Sequence, residues 1–173
     1  SVATLQIRKA MESDLERLTA IYNQAILDGN RTCDTEPFPT EARRTWLLEH
    51  DQERFPLFTC LLKGKVVGYA YLSPYRSGRP ALADTAEISC YLDFSIHGQG
   101  IGSRLMEFML SEAQRLGFRT LVAILLDCNS ASIALLKKYG FSEWGRLPEI
   151  ACLSGCYFDH LYYGKALPRL PER

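Results

Sequence analysis

Three glycines at alternate positions, Gly98, Gly100 and Gly102, stand where a run of β-formers, AEISCYL (86–92), gives way to helical spacing at Leu105, Met106, Met109 and Leu110. Glycine lets main chain approach a ligand closely, and the first N–H groups of a helix have no internal acceptor. The stretch His97-Gly98-Gln99-Gly100-Ile101-Gly102-Ser103 therefore reads as an anion cradle at the positive end of a helix dipole, with a phosphate-bearing ligand expected there. A dinucleotide turn does not fit the spacing, and a P-loop would need Lys-Ser/Thr where Ser103-Arg104 stands. Eleven residues before Gly98 lies Glu87, an acid among apolar neighbours, and partial burial would lift its carboxyl into the range useful to a general base. Arg76 and Arg79, in the loop SPYRSGRPALAD (73–84), can fork onto carboxylate or phosphinate oxygens. The plain alternatives are a structural turn, a charge at a strand end and solvated loop arginines. His50, near a helix end, reads as a solvated dipole partner, and His160 as a structural residue on a strand. No His/Cys/Asp/Glu group has ligand spacing, so no metal is expected. Neither a Gly-x-Ser-x-Gly elbow nor a cysteine paired with a histidine is present.

The elements that must position these residues follow from periodicity. Leu5–Lys9 reads as a short first strand. Ser13-Asp14-Leu15-Glu16 matches a capping box, with Ser13 as N-cap, ahead of a helix carrying Leu15, Leu18, Ile21, Tyr22 and Ala25 on one stripe. Residues 28–39 form a turn-rich loop able to shape a pocket, and Thr40 caps a second helix over 41–50 with Trp46 and Leu47 inward. Residues 55–62 and 66–72 make a hairpin about Lys63-Gly64-Lys65. The strand 87–92, the glycine turn and its helix, ended by Gly117, come next. TLVAILL (120–126) is a buried strand, Asn129 or Ser130 caps a helix ended by Gly140, and 141–146 and 157–163 are the last strands. The order β-α-α-β-β-β-α-β-α-β-β predicts a mixed sheet with helices on its faces.

Composition bounds the function. A chain of 173 residues, 47% hydrophobic and 23% charged, suits one soluble domain, here residues 1–167 with a short tail over 168–173. Twenty basic and twenty acidic residues cancel, against a nucleic-acid binder working through a basic surface. No apolar run approaches the ~20 residues of a membrane span, and SVATLQIRKA lacks the apolar core of a signal peptide. Six cysteines without CxxC spacing suit reduced, buried thiols in a cytoplasmic protein.

The turn HGQGIG (97–102) followed after the next strand by NSASIALLKKYGF (129–141) resembles the GNAT superfamily of acetyl-CoA-dependent N-acetyltransferases. The family turn is Gln/Arg-x-x-Gly-x-Gly/Ala, from which His97 departs at the first position; the second segment matches at Asn129, Ser132, Leu135, Gly140 and Phe141. YNQAI (22–26), DTEP (34–37), SPYR (73–76), TAEISCYL (85–92) and GCYFD (155–159) further resemble the phosphinothricin and methionine sulfone or sulfoximine acetyltransferase branch. The resemblance implies an α/β fold with a mixed, mostly antiparallel sheet of about seven strands and about four helices. It implies acetyl transfer from acetyl-CoA, as co-substrate, to a small amino-acid-like amine. With no nucleophile to carry an acyl group, transfer is expected to be direct. His97, Gly98, Gln99, Gly100, Ile101, Gly102 and Ser103 would hold the pyrophosphate, Tyr91, Leu92 and Asn129 the pantetheine arm. Asn129 reads equally as a plain helix cap. Glu87 would be the base, a main-chain N–H near Leu92 the oxyanion donor, and Arg76 and Arg79 the substrate clamp. The usual Tyr or His of the proton donor is replaced by Leu136, leaving Tyr91, Tyr139, Tyr157 or water. Family members are commonly homodimers. Rival readings are a protein N-terminal or polyamine acetyltransferase and a non-catalytic acyl-CoA sensor.

Overall fold

The computed structural model describes residues 4–29, 31–50, 53–96 and 98–170. A seven-stranded sheet in the order β1-β2-β3-β4-β5-β7-β6 is built from β1 (Leu5–Lys9), β2 (Leu57–Leu62), β3 (Lys65–Pro74), β4 (Thr85–Leu92), β5 (Thr120–Leu126), β6 (Ser142–Leu153) and β7 (Cys156–Ala166). Neighbours pair antiparallel except β4 and β5, which run parallel because helix α3 (Ile101–Arg115) returns the chain between them. The mixed α/β class and the element order are those expected from periodicity.

Alternation along the strands divides the core. On one face Ala86 and Ile88 of β4 and Leu121 and Ala123 of β5 pack against Leu105, Met106 and Met109 of α3 and Leu136 of α4 (Ser130–Lys138). On the other, Leu57, Leu61 and Tyr69 meet Leu15, Leu18, Ile21 and Tyr22 of α1 (Leu15–Asp28) and Leu47 of α2 (Arg44–Glu49). Among the described residues no helix is long and apolar enough to cross a membrane.

Several local expectations are corrected. Ser13 does not cap α1: a 3-10 turn over Glu12–Asp14 precedes it, Asp14 stands at the N-cap position without a side-chain cap bond, and its carboxylate instead accepts from the Met11 N–H at 2.8 Å. Arg8 of β1 grips the same carboxylate through both terminal nitrogens, at 2.7 and 3.0 Å, so a tertiary ion pair outweighs the local capping box. The second helix begins as a 3-10 turn, Thr40–Arg43, after Pro39, and α2 is only Arg44–Glu49. The final strands are longer than expected, because β6 runs through Gly145 and Pro148 with register shifts that absorb them. His50 is not solvated: its ring lies 4.8 Å from Tyr71 and 5.7 Å from Trp46, and Nδ1 lies 3.2 Å from the Phe55 carbonyl oxygen. Burial lowers its pKa. All six cysteines are free, but Cys33, Cys152 and Cys156 are exposed rather than buried.

Candidate active site

The parallel pair β4–β5 is hydrogen-bonded only as far as Glu87↔Val122, yet both strands continue, to Leu92 and Leu126. The strands part, and the wedge between them is a groove. Its outer part, about 300 Å³, is lined by Tyr91, Leu92, Gly98, Gly100, Ser103 and Asn129; an inner hollow of about 80 Å³ reaches Ile88, Met106, Ala123 and Leu136. Because the Asp93 N–H crosses to the Val67 carbonyl at 2.8 Å, alternation turns the Leu92 N–H the opposite way, toward the parted side. That amide faces the groove, past the last β4–β5 pair.

The glycine turn closes the groove at one end. Gly98 and Gly100 are left-handed, at φ 82° and 76°, a conformation that lets main chain fold back on itself before α3 begins. Gly102 packs closely: a Cβ there would stand 3.3 Å from a Leu92 methyl, which would have to give by a few tenths of an ångström, and in ordinary contact at 3.5 Å with a Leu135 methyl. With Gly100 as N-cap making no side-chain cap bond, the first α3 amides, at Ile101, Gly102 and Ser103, lie beyond the reach of helical acceptors. Gln99 is exposed on the turn, and His97 lies outside the described residues. The Ser103 hydroxyl accepts from Lys138 Nζ at 2.8 Å, which brings a cation to the turn. Asn129 caps α4, accepting from the Ser132 N–H at 3.3 Å, and also lines both parts of the groove, so the cap and groove readings coexist in one buried side chain.

Glu87 stands at the fork where the strands part. It is half-buried, forms no ion pair among the described residues, and burial lifts its carboxyl above the ordinary range. By alternation its side chain shares the α1/α2 face with Ser89 and Tyr91. Of the three tyrosines considered as proton donors, only Tyr91 lines the groove. Its phenol is held protonated by burial, then by the neighbouring Tyr71 and Tyr22. Tyr139 donates to Glu107 at 2.9 Å, and Tyr157 is 64% exposed at the start of β7. Leu136 is buried and lines the inner hollow. Cys90, at the groove, has its thiol pushed up to about 12 by burial, which removes it as a nucleophile. Among the described residues no His/Cys/Asp/Glu group could hold a metal ion.

Arg76 and Arg79 are exposed and line a separate shallow hollow with Arg54 and Pro80, beyond the end of β4 that carries Thr85. Three cations escaped the sequence reading. Lys138 sits at the turn. Arg31, paired with Asp28 at 3.0 Å and 4.7 Å over the Phe94 ring, lines both parts of the groove. Arg43, on the Glu87 face, is buried between aromatic rings. In the sequence each is one arginine or lysine in a polar segment, and only the fold separates them from their neighbours.

Residues 23–141 match the family model described as the acetyltransferase (GNAT) family, and the chain belongs to that family. It is 34% identical to the phosphinothricin N-acetyltransferase of Streptomyces coelicolor over 168 residues, covering 95% of this chain and 98% of that one. It is 29% identical to the L-methionine sulfoximine/L-methionine sulfone acetyltransferase of Salmonella typhimurium over 155 residues, 90% of each. The crystal structure of a phosphinothricin acetyltransferase from Sinorhizobium meliloti in complex with AcCoA superposes with a TM-score of 0.89 at 29% identity, covering 95% of this chain and 89% of that chain.

Proposed function

We propose that this chain transfers the acetyl group of acetyl-CoA to the amino group of a small amino-acid-like molecule of the phosphinothricin, methionine sulfone or methionine sulfoximine type. The observation that carries this reading is the parting of β4 and β5 beyond Glu87↔Val122, which opens a groove ending at a glycine turn with free amides, beside the strand that carries a lifted carboxyl. The relatives named above act on such amino acids. The groove's fit to coenzyme A rests on the unpaired α3 amides and Lys138 for the diphosphate, and on Tyr91, Asn129 and the Leu92 main chain other than its N–H for the amide-bearing arm. When bound, the cofactor supplies the acetyl group as an activated thioester.

The remaining chemistry belongs to the protein. An alkylammonium is no nucleophile until it loses a proton. Glu87, its affinity for protons raised by burial, takes that proton directly or through one water. The amine nitrogen then bonds to the acetyl carbon, the Leu92 N–H donates to the carbonyl oxygen as it gains charge, and the carbon–sulfur bond breaks. The departing sulfur takes a proton from water or from the Tyr91 hydroxyl, since the place of the usual donor is the aliphatic Leu136. Direct transfer fits a groove whose lining thiol, Cys90, is inert. Arg76 and Arg79, in the loop leading to β4, stay as an outer clamp for an anionic substrate group. The reading places the enzyme in the cytoplasm, where three exposed free thiols stay reduced. It also makes the enzyme a homodimer, since the sheet leaves Trp144, Leu147 and Ile150 exposed.

A coupled assay of thiol release tests this. Methionine sulfone or phosphinothricin should be turned over in preference to spermidine and to peptides with a free N-terminus. Faster turnover of either of those would replace the substrate class, and acetyl-CoA binding without turnover of any amine would make the chain an acyl-CoA sensor.

A further inference from the structure

Arg43 is the last residue of the 3-10 turn before α2 and is only 9% exposed. Its guanidinium lies 3.9 Å from the Trp46 ring centre and 4.1 Å from that of Tyr22, with Phe38 at 5.8 Å. Stacking satisfies the two faces of the planar cation but not its edge, where N–H groups point in the plane. Along that edge Nε and Nη2 are buried and have no hydrogen-bond partner among the described residues. These two nitrogens form the side-on fork that takes both oxygens of one carboxylate. The Tyr69 hydroxyl, also buried and without a partner among the described residues, belongs to the same aromatic cluster, its ring 5.7 Å from Trp46.

An always-charged group held out of water with its fork empty is expensive, and proteins accept that where a ligand completes the site. The fork's surroundings say which ligand. Trp46 meets Tyr71 edge-on at 5.4 Å, and Tyr22 meets Tyr91 edge-on at 5.1 Å. Tyr71 and Tyr91 in turn lie in the field of both Arg43 and Glu87. So the free cation and the proton-accepting carboxylate flank one pair of tyrosines on one face of the sheet. An α-amino acid carries a carboxylate one carbon from its amine, and it alone presents the opposite partner to each. The neighbouring Arg44, by contrast, is spent on Glu41 and Glu12 at the surface.

We propose that the Nε–Nη2 edge of Arg43 receives the α-carboxylate of the amino-acid substrate and thereby turns its amine toward Glu87. This assigns the α-carboxylate to Arg43 rather than to Arg76 and Arg79, and it rests on the amino-acid reading of the substrate given above.

Binding can be measured without turnover on enzyme saturated with coenzyme A, by calorimetry with methionine sulfone and with the amine left when its carboxyl group is removed. The wild-type protein should bind the amino acid about 30-fold or more tightly than the amine. Arg43→Met should weaken the amino acid to the level of the amine and leave the amine unchanged. Arg43→Lys, which keeps the charge but not the fork, should recover only roughly a tenth of the lost affinity. Equal weakening of both ligands in Arg43→Met, or wild-type binding that ignores the carboxylate, would overturn the assignment. Should Arg43→Met fail to fold, the wild-type preference and the Arg43→Lys loss decide alone. Carboxylate-dependent binding without acetyl transfer would sink the proposed function but not Arg43; transfer without carboxylate preference would do the reverse.

Discussion

At the scale of single residues, Glu87 carries a conflict between stability and chemistry. Burial alone lifts its carboxyl, with no cation offered in return. Its folded pKa therefore lies above the unfolded one. What it contributes to stability is fully present below the unfolded value and is lost as pH rises through the folded value. At neutral pH the ionised, half-buried carboxylate is a burden the fold tolerates. Glu87→Gln should then do two opposite things at pH 7: cut kcat by roughly 100-fold or more and leave thermal stability equal or higher. The wild-type acid limb of kcat/KM should sit above the ordinary glutamate value, and the variant should lack it. Near-normal kcat, or a variant that melts well below wild type, would remove Glu87 from the base's role.

At the scale of elements, the corner between β4 and the glycine turn is held from α1. Arg17 reaches across to the Val66 carbonyl and to Asp93 at 2.7 Å, the Asp93 carboxylate accepts from the Ser95 N–H at 2.9 Å, and Gln24 accepts from the Phe94 N–H at 3.0 Å. Burial pushes the Asp93 carboxyl up, but the Ser95 amide and the Arg17 guanidinium outweigh it and hold it at about 2. With the folded pKa depressed, this stabilisation is present above the unfolded value near 4 and is lost as pH falls toward 2. Asp93→Asn should lower unfolding free energy at pH 7 by about 2 kcal/mol, less than a fully enclosed pair because Arg17 is a third exposed. Urea titrations at pH 7 and pH 3 check it: the gap between variant and wild type should narrow at pH 3, and a constant gap would deny the carboxylate its role. None of this bracing was legible in the sequence, where Arg17, Gln24 and Asp93 are far apart. The elements themselves were legible because each apolar run has a clear period and ends in glycine, proline or a polar turn. Local pattern failed where a distant partner competed for the same group, as Arg8 does for Asp14. It also failed where identical neighbours meet opposite fates, as buried Arg43 and exposed Arg44 do.

For the whole molecule, the two sheet faces are unequally covered. The helices α1 and α2 lie over β1 to β4, and the same face beyond them, at β5, β7 and β6, holds a hollow lined by Tyr75, Leu82, Val122, Trp144, Leu147 and Tyr162. Val122 is the pairing partner of Glu87, so this hollow begins one strand away from the proposed base. Trp144 lies flat over Gly164, where a Cβ would meet its ring at 2.0 Å, and is held 55% exposed; Ile150, on the same strand, is 58% exposed. A large aromatic fixed in the open against the neighbouring strand is the composition of an interface rather than of a solvated edge. The homodimer proposed above would seat a second copy of the chain there, in keeping with the symmetry rule that self-complementary patches make two-fold dimers. Sedimentation velocity should give a mass near twice 19.6 kDa for the wild type. Trp144→Glu should shift it toward the single chain, because a charge buried at the centre of an interface costs about 3 kcal/mol or more. Since the patch adjoins the strand pair that ends at Glu87, the monomeric variant should also lose kcat, while acetyl-CoA affinity, set at the far end of the groove, stays within a few-fold. A wild-type chain that sediments as a monomer, or a Trp144→Glu dimer with unchanged mass, would leave that face without its partner.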